Sequence, residues 1–358
     1  MKTTHFDVGA NAVVQLGENL YKNTYGVLIE YITNSYDADA SFVKINIDRI
    51  KGTVTIEDDG VGMTLDELGD NFLKVGNNRR KKYITKTTDK GRLVTGRKGF
   101  GKLACFGLFK SFKVDTYKNN QKSTLIVTSK LNDDEFEYEA LIDEKSTHIK
   151  HSNGTIIYLS ENTSEIVDNE SLSESIAKRL NIMYDGTPTD PTGFKIYLED
   201  YEINQSYRNQ LVLNHDIKFS YKIPEDINRF TKNKEIINYI NNNKITGTII
   251  AREKTVRIKE NKGVVLFARG KLCQEATYFN INPSNSYGYA HLYAEFHVDF
   301  IDDEKKDNIG TDRTALNETP TTIELFKAIE TLIKAYGNLY DDDIKSRDNQ
   351  AIEDFKTD

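Results

Sequence analysis

Three stretches of this sequence set polar side chains at spacings that could do chemistry. The first is Val27–Ser41, VLIEYITNSYDADAS, where Glu30, Asn34 and Asp37 stand at i, i+4 and i+7. On a helix those spacings put a carboxylate, an amide and a second carboxylate on one face, with small Ala38 beside them. A solvated face would account for the stripe. So would a ligand site, because Leu28, Ile29, Ile32 and Tyr36 are apolar at helical spacing and otherwise read as a buried helix. The second stretch is Asp58-Asp59-Gly60-Val61-Gly62-Met63. A carboxylate followed by two glycines lets backbone approach a flat ligand while the acid accepts its hydrogen bond, although Asp-Asp-Gly is also an ordinary turn. The third is Gly96-Arg97-Lys98-Gly99-Phe100-Gly101-Lys102, ahead of the apolar run 103–109. Backbone amides so spaced before a helix suit an anion, triphosphate being the natural candidate, and the Walker spacing is absent.

The elements that must hold these groups can be read around them. Val43, Ile45 and Ile47, then Val54 and Ile56, alternate with polar residues on either side of Lys51-Gly52, which predicts a hairpin ending at Asp58. A short strand over 6–8 and an amphipathic helix over 10–23 should lead into the first stretch. Strands are expected over 111–117, 123–130, 135–142, 154–159 and 194–198, with a helix over 172–184 before the last. The segment Lys74–Lys102 holds eleven Lys or Arg against one acid, Asp89, and reads as a long, mobile basic loop.

Length and composition bound the rest. At 358 residues the chain exceeds one ordinary core, so two domains are expected. A hydrophobic fraction of 38% suffices for packed cores, and no run approaches the roughly 18 apolar residues of a membrane helix. No signal-peptide pattern opens the chain, so a soluble protein of the cytoplasm, without a membrane partner, is expected. Cys105 and Cys273 are too few for a disulfide framework or a zinc cluster. The net charge of −7 argues against a coat for nucleic acid, yet the local basic run leaves nucleic acid open as a partner.

Taken in order, Glu30-x-x-x-Asn34-x-x-Asp37-Ala38, Asp58-x-Gly60-x-Gly62-Met63, Gly96-x-x-Gly99-x-Gly101-Lys102 and Gly154-Thr155 resemble the four motifs of the GHKL superfamily. That superfamily groups gyrase B, the heat-shock ATPase chaperones, histidine kinases and MutL. The run Asn34-Ser35-Tyr36-Asp37-Ala38-Asp39-Ala40 is most similar to bacterial MORC-like and heat-shock-chaperone-like branches. The resemblance implies an α+β fold: a Bergerat-type α/β sandwich ATPase domain over 1–208, with a lid at about 69–98. It also implies ATP and Mg2+ as cofactors, Asn34 as the magnesium ligand and Glu30 as the base that orients water. Asp58 would accept the adenine amino group, supported by Thr155 and packed beneath Met63 and Ala38. Gly96, Gly99, Phe100, Gly101 and Lys102 would enclose the phosphates, while Asp37 would brace the site.

The second half adds strands over 245–250 and 263–267, a tight turn over 267–272 and a ten-residue alternation over 291–300. A charged loop over 302–312 and a helix over 321–340 follow. This order resembles a smaller α/β transducer domain, placed at 209–340, with an acidic C-terminal tail at 341–358. Asp312-Arg313-Thr314-Ala315-Leu316 is similar to the chaperone segment that reaches the terminal phosphate, so Arg313 is the expected sensor, with Lys305 and Lys306 as alternatives. The functional expectation is a Mg-dependent ATPase acting as a conformational switch. It would dimerise with ATP, control a protein partner or client, and serve phage defence or DNA transactions. The alternative is an ATP-binding sensor or scaffold whose hydrolysis is incidental and whose effector is separate. No histidine-bearing dimerisation module precedes the motifs, which counts against a histidine kinase.

Overall fold

The computed structural model describes residues 23–69, 87–96, 105–106, 108–130, 135–143, 153–183, 193–212, 216–256, 261–302, 307–310 and 313–357. The expected strand over 6–8 and helix over 10–23 fall almost wholly outside them. The chain is a mixed α+β protein in two compact units, Met1–Arg208 and Asn209–Asp358.

The first unit begins with helix α1, Thr24–Asp37, and strands β1, Phe42–Asp48, and β2, Thr53–Asp58. Then come β3, Phe109–Lys118, β4, Gln121–Lys130, β5, Glu135–Asp143, and β6, Gly154–Asn162. Helix α2, Asn169–Arg179, and strands β7, Lys195–Leu198, and β8, Tyr201–Ile203, follow. The eight strands form one sheet in the order β5-β4-β3-β6-β2-β1-β7-β8. Alternation decides the layers: Val43, Ile45, Val54, Ile56, Val114, Leu125, Ile157 and Leu159 lie in register on one buried face. Helix α1 packs against β1 and α2 on that side, so the unit is a two-layer α/β sandwich. Two sequence expectations shift here. Helix α1 stops at Asp37 instead of running to Ser41, because Asp39 takes a left-handed φ of 57°. Helix α2 starts earlier than 172, where Asp168 caps it through the Ser171 N–H at 2.8 Å, and ends at Arg179 as Leu180 becomes extended.

The second unit is a five-stranded sheet with helices. Its strands are β9, Ile217–Ile223, β10, Thr246–Arg252, β11, Gly263–Ala268, β12, Lys271–Thr277, and β13, Leu292–His297, ordered β12-β11-β13-β10-β9. The ten-residue alternation over 291–300 yields only a six-residue strand. Leu292 to Phe296 are all buried, so its polar residues do not face water. A 3-10 turn, Asp299–Ile301, then ends the run. Helix α3, Pro320–Thr357, lays Leu325, Ile329, Leu332, Ile333 and Tyr336 into a core shared with Leu266, Ala294 and Phe296. The acidic segment 341–357, expected as a tail, continues that helix. Its charges are used: the Lys218 ammonium, 6% exposed, meets Asp343 at 2.5 Å and lies 4.2 Å from the Tyr340 ring centre.

Candidate functional site

From Val27 to Asp37, helix α1 is buried everywhere except at Glu30 and Asn34, which are half-buried and one turn apart. A solvated face would expose more of the helix, whereas here only a carboxylate and an amide are left partly exposed. Asp58 lies at the end of β2, 8% exposed, in the middle of the sheet. Its Oδ2 accepts the Ser35 hydroxyl at 2.8 Å and its Oδ1 accepts the Gly60 N–H at 2.9 Å. Desolvation pushes its carboxyl up to about 6, against the bonds from Gly60, Ser35 and the Thr155 backbone, which pull it down. It is therefore mostly ionised at neutral pH, with each oxygen retaining acceptor capacity for a ligand donor.

The glycines after Asp58 are demanded by contact. A Cβ on Gly60 would lie 2.8 Å from the Ala38 carbonyl and 3.0 Å from the Ala38 Cβ, so backbone here packs closely on the end of α1. A Cβ on Gly62, whose φ is +64°, would meet the Tyr117 carbonyl at 1.9 Å. The Met63 N–H donates to the Thr116 hydroxyl at 2.9 Å, and that hydroxyl stands 3.3 Å from the Thr155 hydroxyl. Asp58, Gly60, Gly62, Met63 and Thr155 thus gather around the strand ends of β2, β3 and β6. Sequence reading missed Ser35 and Thr116. Ser35 alone carried a signal, as a polar residue on the helix between Asn34 and Asp37; Thr116 had none, since it sits in an unremarkable strand.

Asp37 is taken up by residues 95 and 96. Its Oδ1 accepts the Thr95 N–H at 2.8 Å, and its Oδ2 accepts the Gly96 N–H at 2.8 Å and the Thr95 hydroxyl at 3.1 Å. Asp39 accepts from the Thr88 hydroxyl and from the Lys90 N–H. Arg92, 1% exposed, donates to the Tyr36 carbonyl at 3.0 Å and the Gly193 carbonyl at 2.6 Å, with Tyr36 and Phe194 rings beside its guanidinium. Residues 87–96 are therefore fastened to the C-terminal end of α1. This corrects the reading of Lys74–Lys102 as one mobile basic loop for its described part, 87–96: Arg92 is an interior structural cation, and Gly96 is held by a fixed anchor. Gly99, Phe100, Gly101 and Lys102 lie outside the described residues, as do Lys305 and Lys306.

Arg313 belongs to the second unit and sits on a turn there with φ 56°, its N–H donating to the Gly310 carbonyl at 3.0 Å.

A family profile for histidine kinase-, DNA gyrase B- and HSP90-like ATPases matches residues 21–156. That span carries Glu30, Asn34, Asp37, Asp58, Gly60, Gly62, Gly96 and Thr155 on the elements just described. Residues 21–156 belong to the GHKL ATPases. The GHKL match is joined by two relatives. HgiDII of Herpetosiphon aurantiacus, described as a candidate type II restriction enzyme, is 27% identical over 341 residues, covering 89% of this chain and 53% of its own. The chaperone protein HtpG of Sulfurimonas denitrificans is 25% identical over 203 residues, covering 51% of this chain and 31% of its own. The chain thus spans about half or less of the length of these two relatives. A GHKL unit implies ATP binding, and no described helix is long and apolar enough to cross a membrane.

Proposed function

We propose that the chain is a Mg-dependent ATP-binding and hydrolysing switch. The observation that carries this is the partly exposed pair Glu30 and Asn34 in the otherwise buried run Val27–Asp37, on the helix whose Ser35 hydroxyl binds the buried Asp58 carboxylate. In this reading Asp58 accepts the adenine amino group, with Thr155 beside it and Met63, Ala38, Gly60 and Gly62 shaping the base pocket. Asn34 supplies one oxygen suited to magnesium, which prefers an oxygen octahedron and keeps several waters. Bound there with the nucleotide, the ion would neutralise phosphate charge. Glu30, one turn away, takes the proton of the attacking water and orients it. Asp37 braces Gly96, and Gly99, Phe100, Gly101 and Lys102 are assigned to the phosphates. Arg313 is assigned as the sensor of the terminal phosphate, ahead of Lys305 and Lys306.

ATP-dependent homodimerisation and control of a protein partner follow from the chaperone likeness as part of this proposal. The restriction-enzyme likeness covers most of this chain and supports a role in DNA transactions or phage defence, by way of a transducer-like second unit. That same relative favours a second reading, since 47% of its length lies outside the match: an ATP-binding sensor whose effector chemistry resides elsewhere.

Turnover of Glu30→Ala tests the assignment of the base. The variant should bind ATP as tightly as the parent while losing hydrolysis by at least about 100-fold, within the range expected for a positioned base. Unchanged turnover would remove Glu30 from the chemistry. Steady-state rates with and without DNA then decide whether hydrolysis is coupled to a partner.

A further inference from the structure

We infer that Gln274 is a positioning residue for Arg313. This rests on the reading of Arg313 as the phosphate sensor.

Arg313 stands at the tip of a small hairpin whose legs are residues 307–310 and 314–317. The legs are paired: Ile309 bridges Leu316, the Gly310 N–H reaches the Ala315 carbonyl at 3.0 Å, and the Asn317 N–H reaches the Asn308 carbonyl at 2.9 Å. At the base, Asn308 is fully buried, donating to the Ile301 carbonyl and accepting from the Thr319 hydroxyl, each at 2.7 Å. Ile309 and Leu316 enter the core. The base is therefore held without Gln274.

The arm that leads from Arg313 is held differently. It lies along β12, the edge strand, where the Glu275 N–H donates to the Thr314 carbonyl at 2.9 Å. The Gln274 side chain completes the attachment. Its Oε1 accepts the Leu316 N–H at 3.0 Å, and its Nε2 donates to the Glu275 carbonyl at 3.1 Å and lies 3.5 Å from the Thr314 carbonyl. Gln274 is opposite Leu266, at a point where the β11–β12 register shifts on both sides. Such irregularities at a sheet edge re-aim a side chain, here away from its own ladder and onto the loop.

The charge of Arg313 is felt at Cys273, the residue before Gln274, where it opposes the upward push of burial on the thiol. Arg313 also keeps a left-handed backbone, which strains an ordinary side chain, and such strain persists where the surroundings enforce it. A long side chain that must reach one anion gains from a fixed backbone, because less freedom is lost at the moment of reaction. Gln274 fixes the residues that follow Arg313 while the base of the hairpin is secured independently.

The test compares Gln274→Leu, Gln274→Glu, Arg313→Ala and the Gln274→Leu/Arg313→Ala double variant in the full chain. ATP turnover, nucleotide affinity and melting temperature are measured for each. Gln274→Leu should lower kcat about 10-fold with ATP affinity and melting temperature close to the parent. Gln274→Glu, which keeps the acceptor for Leu316, should recover most of the rate. The double variant should be no slower than Arg313→Ala. If Arg313→Ala slows turnover but Gln274→Leu does not, the positioning role is overturned while the sensor stands. The positioning role also fails if the Gln274→Leu defect persists undiminished in the Arg313→Ala background, or if affinity and kcat fall together. If Arg313→Ala turns over normally, or the parent chain does not hydrolyse ATP, the sensor reading fails and this inference with it.

Discussion

At the scale of single residues, the site turns on Asp58. Its carboxyl titrates near 6 because desolvation outweighs its hydrogen bonds, whereas the unfolded carboxyl titrates at 3.8. The folded state therefore holds this proton more tightly than the unfolded chain does, and Asp58 favours folding at low pH. That contribution is lost as pH rises from about 4 through about 6. Ligand binding runs the opposite way. A protonated Asp58 loses acceptor capacity for an adenine amino group, so adenosine affinity should fall as pH drops below about 6, approaching tenfold per pH unit. Calorimetry on the parent between pH 7 and 5 checks the slope, and Asp58→Asn should bind no nucleotide at any pH; tight binding by that variant would place the base elsewhere. Arg313 offers a second residue-level contrast. Glycine there would remove left-handed strain of about 1–2 kcal/mol but add about 0.5–1 kcal/mol of unfolded-state freedom. Arg313→Gly should therefore melt no lower than the parent, while a sensor role predicts at least a tenfold loss of turnover. A lower melting temperature would mean that the arginine is retained for stability.

At the scale of elements, two attachments decide how the chain is used. The first is the fastening of 87–96 to the end of α1 by Asp37, Asp39 and Arg92, which makes the helix that bears Glu30 and Asn34 also the anchor of Gly96. The second is the hold of Lys218 on Asp343 and Tyr340, which keeps the acidic part of α3 on strand β9. Lys218 is nearly buried and its partner only partly exposed, so Lys218→Ala should cost about 2 kcal/mol, between a surface pair and a fully buried one. The loss should be local as well as global. Amide exchange over 341–350 should accelerate by more than it does over 325–336, and a uniform change along the helix would deny the anchor. Nothing in the pattern of 341–358 announced this, because a run of aspartates reads as solvated unless the cation that meets it is known.

At the scale of the whole molecule, the expectation is a cycle in which ATP drives association of two chains. Mass measured in solution with a non-hydrolysable ATP analogue should double relative to ADP, and Asp58→Asn should stay at the monomer mass with either nucleotide. An unchanged mass with the analogue would leave the chain a monomeric switch. Legibility differs by layer. Spacing alone put Glu30, Asn34 and Asp37 on one helix face, because 3.6 residues per turn fixes that geometry without tertiary help. Likewise period-2 alternation predicted the β1–β2 hairpin and hence the strand end on which Asp58 stands. Asp58-x-Gly60-x-Gly62 was legible because no side chain fits where those glycines stand. What the sequence could not carry were partners far apart along it: Ser35 on Asp58, Arg92 against Gly193, Lys218 under Tyr340 and Gln274 on the Arg313 hairpin. These depend on which strands neighbour one another and which face each one buries. A short-range pattern can state what a residue is able to do, but only the folded chain decides which distant groups meet it there, because local periodicity holds no information about contacts between elements.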